Sequence, residues 1–143
     1  MSRAIVLDVD CVLLDFYKGF EVQASNALGR PMEQAGNIYN LIHRYNLKDY
    51  ELKQVFQYMM NKFDDFPLLD GADLAFKSLR EAGFSIHLVT SIKPELSEQR
   101  LSNLLKYNLE PDTIDCVYTD SKQKYIEKYN PIAMVDDRIE NLY

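Results

Sequence analysis

The chain has 143 residues, 47% of them hydrophobic and 27% charged, which fits one domain or one core with a small insertion and excludes global disorder. Its net charge is −6, which makes it a poor candidate for coating long nucleic acid, since phosphate binding wants a clustered basic surface. No apolar run approaches the ~18 residues of a membrane span. Met1-Ser2-Arg3 leads straight into a short strand-like run with no signal-peptide pattern, so a cytoplasmic protein with no membrane partner is expected. Cys11 and Cys116 form neither a disulfide framework nor a zinc spacing and read as reduced thiols.

The first element is Ala4-Ile5-Val6-Leu7, a continuous apolar run rich in branched residues. It predicts a strand buried on both faces, as in a parallel sheet. It stops at Asp8-Val9-Asp10. About fifty residues of helical periodicity follow. Phe16, Phe20, Ala24 and Leu28 form one stripe, closed by Gly29 and Pro31. Ile38, Leu41, Ile42 and Tyr45 form a second, and Leu52, Val55, Phe56, Met59, Met60 and Phe63 a third, before Phe66-Pro67 breaks the pattern. The rhythm then changes. A helix is predicted over 70–82, a strand over 84–89 ending at Thr90-Ser91, and a helix over 94–107 with Pro94 in its first turn. Its apolar positions are Leu96, Leu101, Leu104 and Leu105. A strand over 114–118, a short helix over 121–129 and a strand over 132–135 ending at Asp136-Asp137 complete the chain.

Strands alternating with helices predict right-handed crossovers and a parallel sheet, with 16–66 inserted in the first crossover. Ligands of such sheets bind at the carboxyl ends of the strands. Three predicted strands end there in chemically capable clusters: Asp8/Asp10, Thr90/Ser91 and Asp136/Asp137. An isolated D-x-D pair also caps loops. Two acidic pairs after neighbouring strands are different, because four ionised carboxylates at one edge need a cation. Oxygen donors without His or Cys favour Mg²⁺. Thr90 and Ser91 suit an anionic oxygen or a helix cap, and Lys122 is either a surface residue or the charge that a phosphate needs.

Four motifs in order resemble those of the haloacid dehalogenase (HAD) superfamily: Leu7-Asp8-Val9-Asp10-Cys11-Val12-Leu13, Leu88-Val89-Thr90-Ser91, Lys122, and Met134-Val135-Asp136-Asp137-Arg138. The resemblance spans Ala4 to Leu142. It implies an α/β, Rossmann-like core over 1–15 and 67–143, with strand order 4-1-2-3 and a helical cap over 16–66. It implies a phosphatase acting on a small phosphorylated metabolite, with Asp8 as nucleophile and Asp10 as general acid and base. Mg²⁺ would be held by Asp8, the Asp10 carbonyl and Asp137, with Asp136 behind them. Thr90, Ser91 and Lys122 would hold the phosphate, and Phe16 and Phe20 would contribute to substrate choice. The run Asp8 to Phe16 is similar to the deoxyribonucleotidase branch, which points to a (deoxy)nucleoside monophosphate. A sugar phosphate, a phosphomutase reaction or a non-catalytic binding module are the other readings. Two departures stand out. Cys11 occupies a place where many members carry Gly or Thr, and the family core continues with a helix and a further strand where this sequence ends with Arg138–Tyr143.

Overall fold

The computed structural model describes residues 3–138 and 141–142. Four parallel strands, β1 (Arg3–Leu7), β2 (Phe84–Thr90), β3 (Thr113–Cys116) and β4 (Ala133–Val135), form one sheet in the order β3-β2-β1-β4. Read from the other edge, this is the expected 4-1-2-3. Register pairs Leu7 with Leu88 and with Val135, so β1 is central where its loop meets those of its neighbours. Its apolar run is buried because the sheet is covered on both faces. Ile5 and Leu7 join the main core with Ile86 and Leu88. Val6 points the other way, into a smaller cluster with Val89 and Val117.

Between β1 and β2 lie α1 (Phe16–Leu28), α2 (Leu41–Tyr45), α3 (Asp49–Met59) and α4 (Ala72–Glu81). Asp15 caps α1 by accepting from the Lys18 N–H at 3.1 Å, and Gly29 closes it at φ 70°. The second apolar stripe yields only five helical residues. The Asn40 side chain starts α2 by accepting from Ile42 and His43, and Asn46 at φ 51° ends it. The chain leaves and returns along adjacent paths: the Asp15 N–H donates to Pro67 O at 2.8 Å and the Leu69 N–H to Leu13 O at 2.9 Å. A Cβ at Gly19 would lie 2.3 Å from Phe66 Cδ1, so only glycine lets α1 approach the returning segment this closely.

After β2, residues Pro94–Leu96 form a 3₁₀ turn leading into α5 (Ser97–Leu105). β3 ends earlier than expected because Tyr118 adopts φ 49°, which a strand cannot continue through. α6 (Gln123–Tyr129) begins where the Ser121 hydroxyl accepts from the Gln123 N–H at 3.2 Å. The expected final turn over 138–143 lies largely outside the described residues. No described helix is long and apolar enough to cross a membrane.

Candidate active site

The site forms where β1 and β4 end side by side. The Asp8 N–H continues the ladder by donating to Val135 O at 2.9 Å. This fixes the Asp8 side chain at the sheet's carboxyl edge, where its Oδ1 accepts from the Val9 N–H at 2.8 Å. Lys122, at the start of α6, is no surface lysine: its side chain is 3% exposed. Its Nζ lies 2.7 Å from Asp136 Oδ2 and 3.2 Å from Asp8 Oδ1. Lys124, two residues on, pairs with Asp120 in solvent. Asp136 is fully enclosed, and its other oxygen accepts from the Arg138 N–H at 2.9 Å. Asp137 is exposed and faces the cavity. Carboxylate oxygens of Asp8, Asp136 and Asp137 lie within 4.8 Å of one another.

Asp10 takes a different direction. Its Oδ1 is buried and lies 2.9 Å from Nη2 of Arg100 on α5, whose side chain is wholly enclosed. The contact has ion-pair distance without hydrogen-bond alignment, and among the described residues no other acceptor reaches the Arg100 guanidinium. That cation sits 5.3 Å from the Phe63 ring centroid and 5.1 Å from that of Phe66. Arg100 escaped the sequence reading because an arginine beside Gln99 in an amphipathic helix reads as a solvated position.

The electrostatics follow from burial. Among the protein's own groups, burial pushes the Asp8 carboxyl up to about 8, with Lys122 pulling it down and Asp137, Asp136 and Asp10 pushing it further up. Burial also raises Asp10, opposed by Arg100. Burial pushes the Cys11 thiol up to about 12, with Asp137 and Asp10 adding to the rise, so Cys11 is a poor nucleophile. Cys11 adopts φ 63°, the left-handed conformation that glycine takes at least cost.

A cavity of about 620 Å³ opens over the site. Asp8, Asp10, Ser91 and Asp137 meet it from the sheet edge, and Phe16, Tyr17, Tyr39, Leu52, Phe56 and Met60 from the helical segment. Tyr118 lines it as well, and like Tyr17 and Tyr39 it was not singled out from the sequence. Ser91 faces the cavity. Thr90 lies behind it, fully buried, with a hydroxyl that has no hydrogen-bond partner. Phe20 corrects the expectation for substrate choice. It is fully buried, stacked on Tyr45 at 5.2 Å between centroids, and does not line the cavity. It shares a stripe with Phe16 but sits one turn deeper.

By sequence the chain matches no family model and no curated protein. By structure, a haloacid dehalogenase-like hydrolase from Streptococcus pneumoniae superposes with a TM-score of 0.66 at 13% identity, over 99% of this chain and 78% of its own. This chain has the haloacid dehalogenase fold. The same fold is shared with a HAD family hydrolase from Deinococcus radiodurans that holds phosphate and sodium, at a TM-score of 0.61 and 14% identity, over 96% of this chain and 73% of the other. A Bacillus subtilis HAD-hydrolase bound to magnesium superposes at 0.50 and 16% identity, over 81% of this chain and 65% of its own.

The donor set fits a small divalent cation. Three carboxylates converge, Asp8, Asp136 and Asp137, with Asp10 lining the same cavity and the enclosed cations Lys122 and Arg100 beside them. The cluster is acidic and offers carboxylate oxygens only, the donors that a hard dication prefers. Asp136 already spends both oxygens on Lys122 and the Arg138 N–H, whereas Asp137 is exposed and lines the cavity beside Asp8.

Proposed function

We propose that this chain is a Mg²⁺-dependent phosphatase that hydrolyses a small phosphate monoester through an aspartyl-phosphate. The observation that carries the reading is the enclosed Asp8–Lys122–Asp136 cluster, with Asp137 beside it, facing a cavity at the carboxyl edge of a HAD-fold sheet. Asp8, Asp137 and the Asp10 carbonyl would hold Mg²⁺. Once bound, the ion neutralises the carboxylates and the phosphate so that two anions can approach. An Asp8 oxygen attacks phosphorus while the bond from phosphorus to the alcohol oxygen breaks, and Asp10 gives its proton to that departing oxygen. Asp10, now a carboxylate, takes a proton from water. That water attacks phosphorus, the bond to Asp8 breaks, and inorganic phosphate and the Asp8 carboxylate are released. Lys122 offsets charge on Asp8 throughout. Ser91 meets the phosphoryl oxygens from the cavity wall. The partnerless Thr90 hydroxyl behind it is a donor that a bound oxyanion would satisfy.

Residues 16–66 act as the cap and 1–15 with 67–143 as the core. The side-by-side exit and return at 13–15 and 67–69 support this division, since a lid needs both hinges at one place. The B. subtilis relative is described as showing interdomain movement. The apolar and aromatic cap lining supports an ester whose alcohol carries a flat or apolar group, a (deoxy)nucleoside monophosphate among them. Phosphate release from a panel of monoesters, with Mg²⁺ and with chelator, tests the reading. Release that needs Mg²⁺ and vanishes in Asp8→Asn is expected. A folded wild-type protein that releases phosphate from no monoester overturns it.

A further inference from the structure

Arg100 is an expensive feature with no role so far. A guanidinium carries five N–H donors, and burying it leaves a large desolvation cost unless most of them are paired. Here one nitrogen meets one carboxylate oxygen, and the head lies beside the Phe63 and Phe66 rings. The surroundings are built to hold it still. The Gln99 side chain donates to Met60 O at 2.7 Å and accepts from the Phe63 N–H at 2.9 Å. One turn along, Asn103 donates to Phe66 O at 2.9 Å and accepts from the Phe66 N–H at 2.7 Å. Gln99 and Asn103 thus clamp the segment carrying both phenyl rings, and Arg100 lies between them on the same helix.

The two oxygens of Asp10 are in different places. Oδ1 is shut off from solvent beside Arg100, yet the side chain as a whole is 24% exposed and lines the cavity. The exposed part is therefore on the side away from Arg100. A carboxyl group that must hand a proton to a departing oxygen has to present one oxygen at one angle.

We propose that Arg100 is a positioning residue for Asp10: by holding Oδ1 inward it presents Oδ2 to the cavity as the oxygen that gives and takes the proton. This inference rests on the phosphatase reading above. The proton passes from Asp10 Oδ2 to the alcohol oxygen as its bond to phosphorus breaks, and returns to Oδ2 from the attacking water. Arg100 exchanges no proton and touches no substrate.

A general acid matters most when the leaving group is a poor one. The test is kcat/KM with saturating Mg²⁺ for two substrates, 4-nitrophenyl phosphate, whose leaving group needs no proton, and an unactivated alkyl monoester such as 3-phenylpropyl phosphate. Arg100→Met, shown folded by circular dichroism, is expected to lose at least tenfold on the alkyl ester and less than threefold on the nitrophenyl ester. Arg100→Lys, which keeps a cation at the same depth, is expected to recover part of the selective loss. If Arg100→Met does not fold, Arg100→Gln, which retains one donor, is read instead, and the same selective loss is expected on a smaller scale. Equal losses on both substrates in a folded variant, or no loss on either, overturn the positioning role and leave the phosphatase reading standing. A folded wild-type protein inactive on both esters and on the wider panel overturns the phosphatase reading itself, and this inference with it.

Discussion

Asp8→Asn separates the chemistry from the fold, and its effect on stability has an unusual sign. Asp8 is 8% exposed, and burial among three other acids raises it from 3.8 to about 8. At about 1.4 kcal/mol per pH unit, keeping a proton on Asp8 at pH 7, roughly three units above its unfolded value, costs the metal-free folded state on the order of 4 kcal/mol relative to the unfolded chain. That figure is an upper bound, because Lys122 and the neighbouring acids redistribute their protons once Asp8 changes. Asparagine keeps the oxygen that accepts from the Val9 N–H and replaces the other with a donor facing acids. A net gain of about 2 kcal/mol is expected, and at this chain length that is a rise of roughly 4–8 °C in Tm for the metal-free protein. The same variant loses turnover, since an amide cannot form the aspartyl-phosphate. It also loses most of the stabilisation that Mg²⁺ gives the wild type, about 2.7 kcal/mol at a hundredfold excess over Kd. Differential scanning fluorimetry in chelator and in Mg²⁺, run beside a phosphate-release assay, reads all three. A lowered Tm in chelator, or an undiminished Mg²⁺ shift, would refute the view that the site's charge is balanced by a bound cation.

The pH dependence follows from the same residue. The raised Asp8 value means that the folded state holds a proton the unfolded chain has lost, so metal-free stability should fall as pH rises from about 4 to 8; denaturant melts along that range with and without Mg²⁺ should show the slope in chelator and its flattening by the ion. Asp137→Asn should weaken Mg²⁺ binding by calorimetry more than Asp136→Asn, which should instead destabilise the protein by stranding the enclosed Lys122. Phe20→Ala should cost ~3–5 kcal/mol of stability without changing the ratio of activities on large and small esters. Phe16→Ala, folded, should raise KM for large esters alone, because Phe16 faces the cavity and Phe20 does not.

The sheet was legible because β1, β2 and β4 are short apolar runs that end in polar residues, the pattern that burial on both faces requires of β1 and β2 and that the exposed edge strand β4 keeps. Asp8, Lys122, Asp136 and Asp137 were legible for a related reason. Each follows a strand or begins the next helix, and topology alone brings those places together at one edge. Depth was harder to read. The periodicity that marked Phe16 and Phe20 as one face says nothing about how far along α1 the cavity reaches. One residue lines it and the other closes the core beneath.

α5 shows why a helix can be found from sequence while its working face is missed. Leu96, Leu101, Leu104 and Leu105 suggest an apolar stripe, yet Leu105 is 44% exposed. The positions actually enclosed are Leu96, Arg100, Asn103 and Leu104, spaced at i, i+4, i+7 and i+8. The spacing is helical as it should be, but two of its four members are polar. A hydrophobicity pattern cannot select them, because it assigns polar side chains to water. Their burial is explained only by partners remote in sequence: Asn103 meets the backbone of Phe66, and Arg100 meets Asp10, ninety residues earlier. Polar groups with distant partners cost stability whenever the pairing is imperfect, as the unshared N–H groups of Arg100 are. A fold selected for stability alone would place leucine there. Arginine at that depth marks the point where the helix serves Asp10 rather than the core.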